Sequence, residues 1–269
     1  MNLLEVRALK VWNKNDNVSI VQDSSFELKE GSCLAIVGES GSGKSVTCQA
    51  ITRLNKPSLQ QSGEILFKGE DLTHLSNKVM RKRRGKNICM IIQNGMSAFD
   101  PTCVVGVHLR ETINEHFDWS KGKVEDRLLE AMRSVMLKHP AEILKKYPHQ
   151  LSGGMLQRIM IALSIVLEPD IIIADEPTTA LDTVSQYEVI EQFIKLRQNV
   201  GCSMIFVSHD LGVVRRIADE VLVMKDGAIV ERGRNEDIFE NPQHEYTKYL
   251  ISTRRSLNDH FRRIMKEEL

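Results

Sequence analysis

Apolar positions along this 269-residue chain follow two distinct patterns. Short runs without alternation, Leu34–Val37, Ile88–Ile92, Ile171–Ala174 and Ser203–Ser208, predict strands buried on both faces of a sheet. Between them, Val46–Leu54, the stretch from Leu156 to Leu167, and Val184–Val200 carry helical character. Strands alternating with helices in this way predict an α/β core.

Three departures from that alternation divide the chain. Leu3–Trp12 alternates imperfectly, Val18–Leu28 is broken by polar residues before a turn at Glu30-Gly31, and Ser62–Gly69 adds a third run. Together they predict a mostly antiparallel edge sheet. From Ser97 to Gln150 the pattern turns helical, with segments Val104–Phe117, Val124–Met136 and Ala141–Tyr147 and breaks at Pro101, Pro140 and Pro148. That block reads as a helical insertion carried by the core. Val221–Met224 and Ala228–Val230, split by Asp226-Gly227, predict a closing hairpin. From Glu240 to Leu269, Tyr246, Leu250, Leu257, Phe261 and Ile264 fall at near-helical spacing, which predicts a helix or two packed on the domain.

Composition narrows the class. Lys plus Arg equals Asp plus Glu at 36 each, so no overall field draws the chain to nucleic acid. The basic cluster Arg81–Arg84 with Lys86 has no interleaved aromatic and reads as a solvated helix end. Five cysteines, at 33, 48, 89, 103 and 202, include no C-x-x-C pair, so core thiols are expected rather than disulfides or zinc ligands. The histidines at 108, 116, 139 and 149 have no metal-ligand spacing. No apolar run reaches the 18 or so residues needed to span a bilayer, and Met1–Lys10 has no signal-peptide core, so a cytoplasmic protein is expected.

The chemistry concentrates at strand ends. Gly38-Glu39-Ser40-Gly41-Ser42-Gly43-Lys44-Ser45 follows an apolar strand and matches G-x-x-x-x-G-K-[ST] in full. Its glycines allow successive amides to face one concavity that suits a polyphosphate. Lys44 supplies a charge for the β- and γ-phosphates, and the Ser45 hydroxyl is placed to ligate Mg²⁺. Asp175-Glu176 ends the run at 171–174: the first acid can hold Mg²⁺ through water, and the second can align or deprotonate an attacking water, although two acids there could also cap a helix. Gln93 and His209 also end apolar runs, where open α/β sheets bind ligands, although each read alone is an ordinary loop or structural residue. Ser152 with Gly153 and Gly154 begins a helix whose first amides are uncovered, a second anion-binding device. Trp12 can stack on an adenine face or simply pack the sheet edge.

In this order the elements resemble the ATP-binding cassette ATPases over about residues 3–240. The loop at 38–45, Gln93, Leu151–Gly154, Asp175-Glu176, Ala180-Leu181-Asp182 and His209 look like that family's Walker A, Q-loop, signature, Walker B, D-loop and switch histidine. Leu151–Arg158, Ile172–Leu181, and Asn241-Pro242 with His244, Tyr246-Thr247 and Leu250 look like the peptide/nickel importer group, most of all the D-type subunit of nickel or metal–metallophore importers. The resemblance implies a P-loop, RecA-like core with an N-terminal antiparallel β subdomain, an inserted helical subdomain at about 97–155, and an importer-type extension at 241–269.

It further implies ATP and Mg²⁺ as cofactors and hydrolysis with Glu176, His209 and Lys44 as catalytic residues. Gln93 would join Ser45 and Asp175 around the metal, and Asp182 would border the nucleotide. The implied partners are a second ABC ATPase subunit, a different chain in this group with a homodimer as the alternative, then two membrane permease subunits and, indirectly, a substrate-binding protein. The location implied is the cytoplasmic face of the membrane. Because no cysteine follows Cys202, the iron–sulfur cluster of some relatives is not implied. Exporters and non-transport cassettes share the core motifs, so the importer reading leans on the 241–250 segment.

Overall fold

The computed structural model describes residues 2–179 and 181–253. Two sheets face each other. The first is antiparallel and four-stranded, formed by β1 (Asn2–Asn13), β2 (Ser19–Lys29), β4 (Leu59–Phe67) and a short β5 (Glu70–Asp71) in the order β2-β1-β4-β5. The second has six strands in the order β10-β9-β3-β8-β7-β6: β3 (Cys33–Val37), β6 (Ile88–Ile91), β7 (Ile171–Asp175), β8 (Ser203–Val207), β9 (Glu220–Lys225) and β10 (Ala228–Arg234). All of its pairings are parallel except β9–β10.

The helices, in chain order, are α1 (Lys44–Thr52), α2 (Asn77–Arg83), α3 (Val105–His116), α4 (Lys121–Ser134), α5 (Pro140–Ile143), α6 (Gly153–Leu167), α7 (Thr183–Val200), α8 (Leu211–Ile217) and α9 (Asn235–Glu240). No helix among the described residues is long and apolar enough to cross a membrane.

β3, β7 and β8 are buried at all five positions, which is why their sequences read as apolar runs, interrupted only by Asp175 at the end of β7 and Ser203 at the start of β8. Alternate residues serve opposite faces. Leu34, Ile36, Ile171, Ile173, Ile205 and Val207 pack with Leu4, Val6, Leu9 and Phe67 of the antiparallel sheet and with Ile51 of α1. Cys33, Ile172, Ala174, Met204 and Phe206 face the other way, toward Ile159 and Ile161 of α6 and Phe193 of α7, in a core that continues through Leu109 of α3 and Leu128 of α4. Ala35, Val37, Val221 and Val223 form a third cluster with Val214, Ile238, Phe239, Tyr246 and Ile251.

Several boundaries differ from the sequence reading. β4 begins three residues before Ser62 and stops at Phe67, because Lys68 and Gly69 take positive φ in the turn to β5. α4 starts at Lys121 rather than Val124, since Ser120 caps it by accepting the Lys123 N–H, and it ends at Ser134 short of Met136, whose φ is +59°. Pro140 opens α5 instead of breaking a helix, and α5 ends at Ile143 rather than at Tyr147. The expectation for Ala141–Tyr147 is therefore corrected to one short turn. The basic cluster disperses: Arg84 donates to the Thr52 and Arg53 carbonyls at the end of α1, Arg83 pairs with Glu70, and Arg81 pairs with Glu115. Leu257, Phe261 and Ile264 of the expected tail helix lie outside the described residues, as does Ala180.

Candidate functional site

The loop between β3 and α1 is shaped by contacts that only glycine permits. A Cβ on Gly38, whose φ is +153°, would lie 2.2 Å from the Met224 carbonyl oxygen, and one on Gly43, φ +96°, would lie 2.8 Å from the Ile20 carbonyl oxygen. The hairpin end of β9 and the start of β2 thus press the loop from behind while Glu39, Ser40 and Gly41 stay exposed on the open side. Gly43 forms the N-cap of α1, so the first amides of that helix are presented at the loop.

Lys44 is only 5% exposed. Its ammonium donates to the carbonyls of Gly38 at 2.9 Å and Glu39 at 2.8 Å, and lies 3.4 Å from Ser42 Oγ. Among the described residues it has no carboxylate within ion-pair distance. Burial lowers its pKa, and the nearby charges of Glu176 and Asp175 only partly restore it. A buried cation resting on the carbonyls of its own loop is a site prepared for an anion.

Beside it, the Ser45 hydroxyl donates to Asp175 Oδ1 at 2.9 Å, which joins the start of α1 to the end of β7. Burial raises the Asp175 pKa, the Ser45 bond opposes that, and Glu176 adds to it. The hydroxyl and carboxylate oxygens are the hard donors that Mg²⁺ prefers, so this pair fits a divalent cation bridging to phosphate.

Glu176 is the node of the site. Its Oε2 accepts from Gln93 Nε2 at 3.1 Å and from the Thr179 hydroxyl at 2.9 Å, and lies 3.3 Å from His209 Nδ1. Segments that follow β6, β7 and β8 thus converge on one carboxylate oxygen. Glu176 itself takes a left-handed φ of +45°, held there by its N–H donating to the Val207 carbonyl at 3.0 Å. For a residue with a Cβ that conformation is strained, and strain of this kind collects where a side chain must be aimed.

The second expected device stands apart. Ser152 caps α6, its hydroxyl accepting the Met155 N–H at 3.2 Å. A Cβ on Gly153 would meet nothing within 4 Å, and one on Gly154 would touch only Leu181. Among the described residues no hydrogen bond or ion pair joins Ser152–Gly154 to the loop at 38–45. Asp182 serves the start of α7, where its carboxylate accepts the Val184 N–H at 3.1 Å. Trp12 is half-buried at the end of β1, paired with Gln60 and with Ser19, the residue before the Ile20 whose carbonyl abuts Gly43.

Two contacts were not anticipated from the sequence. Thr179 was visible only as part of a turn after Pro177. Tyr246, noted as part of the tail's spacing, accepts the Glu39 N–H at 3.1 Å across 207 positions of chain.

Residues 21–179 match the family model described as "ABC transporter". The chain is 48% identical to the metal-staphylopine import system ATP-binding protein CntD of Staphylococcus aureus, over all of this chain and 99% of that protein. It is also 48% identical to the dipeptide transport ATP-binding protein DppD of Bacillus subtilis, over 88% of this chain and 71% of that protein. Among solved structures, the dimeric post-hydrolysis cassette MJ0796 bound to ADP and Pi superposes with a TM-score of 0.77 at 25% identity, covering 86% of this chain and 98% of that one. CbiO1 from Clostridium perfringens, part of the transporter complex cbiONQ, gives 0.73 at 27% identity, covering 89% and 91%.

Proposed function

The chain belongs to the ABC transporter family, and from that premise we propose that it is the ATP-hydrolysing subunit of an importer for a metal–metallophore complex. The convergence of Gln93, Thr179 and His209 on Glu176 Oε2, beside a buried Lys44, carries the ATPase reading. Residues 1–240 form the ATPase domain with a helical subdomain at about 97–155, and 241–269 form an importer-type extension.

In this reading Gly38–Ser45 wrap the β- and γ-phosphates, and the Lys44 ammonium exchanges the Gly38 and Glu39 carbonyls for phosphate oxygens. Trp12 lies beneath the adenine. Ser45, Asp175 and Gln93 would hold Mg²⁺, which when bound would supply positive charge against that developing on the phosphates. Glu176 takes the proton of the attacking water, and His209 contacts the γ-phosphate and orients Glu176. Because among the described residues no hydrogen bond or ion pair joins Ser152–Gly154 to their own phosphate loop, they serve the nucleotide of a second cassette in this reading, with Asp182 at the border between the two. Each chain thus supplies half of each site.

The partners are a second ATPase subunit, a different chain in our reading, and two membrane permeases that hold the pair at the cytoplasmic face of the membrane. A substrate-binding protein delivers the cargo. CntD is named for metal–staphylopine import and matches over its full length, which supports that cargo over peptide, the second reading favoured by DppD.

The test reconstitutes the complete transporter in liposomes and follows phosphate release. We expect stimulation by a binding protein loaded with a nickel–metallophore complex. Stimulation by a dipeptide-loaded binding protein instead would transfer the subunit to peptide import. Failure of ATP to associate a Glu176→Gln variant with any companion cassette would remove the shared-site reading itself.

A further inference from the structure

Asn241, Pro242, His244, Tyr246, Thr247 and Leu250 follow α9 and take no part in the cluster around Glu176. The segment is nevertheless fastened at two points. At one, the Glu231 carboxylate of β10 accepts the N–H of Gln243 at 2.7 Å and of His244 at 3.1 Å, and His244 Nδ1 accepts the N–H of Tyr246 at 3.1 Å. These bonds hold the entry to the helical stretch at 245–253. From there Tyr246 and Ile251, each 7% exposed, pack into the cluster formed by Ala35, Val37, Val221 and Val223.

At the other point the Tyr246 oxygen accepts the Glu39 N–H at 3.1 Å, while the Lys225 ammonium lies 5.1 Å from the centre of its ring. The bonded amide belongs to the Gly38–Glu39 peptide. A peptide is planar and trans, so its carbonyl and its N–H point in opposite directions. Lys44 holds that carbonyl at 2.9 Å and Tyr246 holds the N–H, so the phenol fixes the direction in which the carbonyl presents itself to the ammonium.

We infer that Tyr246 is a positioning residue for nucleotide binding: its hydroxyl locks the Gly38–Glu39 peptide, and residues 241–253 form a strap, anchored at Glu231, that keeps the phosphate loop in its receptive shape. Ordering a loop before the ligand arrives removes a cost from binding. Without the hydroxyl the peptide is free to turn, Lys44 loses a fixed resting place, and the loop must be reordered by each incoming triphosphate. The inference rests on the reading of the loop at 38–45 as the ATP site.

The experiment measures the Kd of ATP in a Glu176→Gln background for four proteins: the parent, Tyr246→Phe, Glu231→Ala and the double variant. Leu128→Ala, fully buried in α4 and outside the strap, serves as a packing control. With Glu176 restored, KM and kcat are measured for the same set. Tyr246→Phe is expected to weaken ATP about fivefold, the worth of one ordinary hydrogen bond, with KM raised and kcat at saturating ATP within about twofold. Because both changes act through one strap, the double variant should bind no more weakly than the weaker single variant. Leu128→Ala should lower the melting temperature and leave Kd unchanged.

An unchanged Kd in Tyr246→Phe, or an equal loss in Leu128→Ala, would overturn the strap while leaving the ATP site standing. A parent that fails to bind ATP would overturn both.

Discussion

Replacing Glu176 with glutamine separates chemistry from binding at this site. The side chain is 16% exposed and its Oε2 is met by Gln93, Thr179 and His209 at 3.1, 2.9 and 3.3 Å. Glutamine keeps the shape and one acceptor oxygen, so the bonds from Gln93 and Thr179 persist and the left-handed turn at 176 is undisturbed. The lost property is the capacity to take a proton. Removing a positioned general base costs roughly 10²–10⁴-fold, or about 2.7–5.4 kcal/mol of transition-state stabilisation. Glu176 also contributes to the raised pKa of Asp175, so the neutral variant eases ionisation of that acid and should not weaken metal binding. We therefore expect kcat to fall by 10²–10⁴-fold, with KM for ATP changed by less than about threefold. The assay is phosphate release from the purified cassette pair at saturating ATP. Turnover within about tenfold of the wild type would refute the assignment of Glu176 as base.

Two further outcomes follow from the buried charges. In Lys44→Met, the loss of two carbonyl contacts is offset by ending the burial of a cation that Glu176 and Asp175 only partly compensate, so the nucleotide-free melting temperature should stay within about 3 °C of wild type. ATP at a hundredfold excess over Kd stabilises the wild type by about 2.7 kcal/mol, or about 5–11 °C, and that shift should vanish in the variant; its survival in a thermal melt would count against the phosphate cradle. Burial raises the Asp175 pKa above its ordinary 3.8, so the folded state binds the proton more tightly than the unfolded state. Its ionisation penalty is absent below 3.8 and fully present above the raised folded value. Asp175→Asn, which still accepts from Ser45, should therefore match the wild type in urea unfolding at the acid end and exceed it at neutral pH, without nucleotide or metal; a stability difference independent of pH would contradict this.

The parallel sheet was legible because burial on both faces leaves β3, β7 and β8 apolar except at two strand ends, Asp175 and Ser203. The edges of helices were less so. α4 begins after a serine cap four residues before its first buried residue, Val124, and α8 and α9 are too short, at seven and six residues, for a periodic pattern to emerge. Within the site, the residues at 38–45 declare themselves because their chemistry depends on spacing along the chain. The meeting of Gln93, Glu176 and His209 became readable only through the order of motifs, since each residue alone is ordinary. The Tyr246–Glu39 bond left no local signal at all: it joins positions 207 apart, and neither residue belongs to the loop's fixed pattern.

The arrangement also explains how hydrolysis can be felt outside the site. Gln93 reaches Glu176 from the end of β6, and two residues later Gly95 begins a short 3-10 turn, Gly95–Ala98. An added Cβ on Gly95 would sit 3.1 Å from Leu156 Cβ and 3.4 Å from the Gln157 nitrogen, so the turn lies directly on α6. α6 begins with Ser152–Gly154, and Arg158 on it pairs with Glu188 of α7. Interiors this closely packed do not absorb a displacement gradually; a shift of Gln93 must move the turn against the helix or be resisted by it. Glu176 is thus one hydrogen bond, two residues and one packed contact from the helix whose start, in the proposed reading, serves a neighbouring site. On the proposed reading, a displacement of Gln93 during hydrolysis would be felt first by α6, the element assigned to the partner's nucleotide.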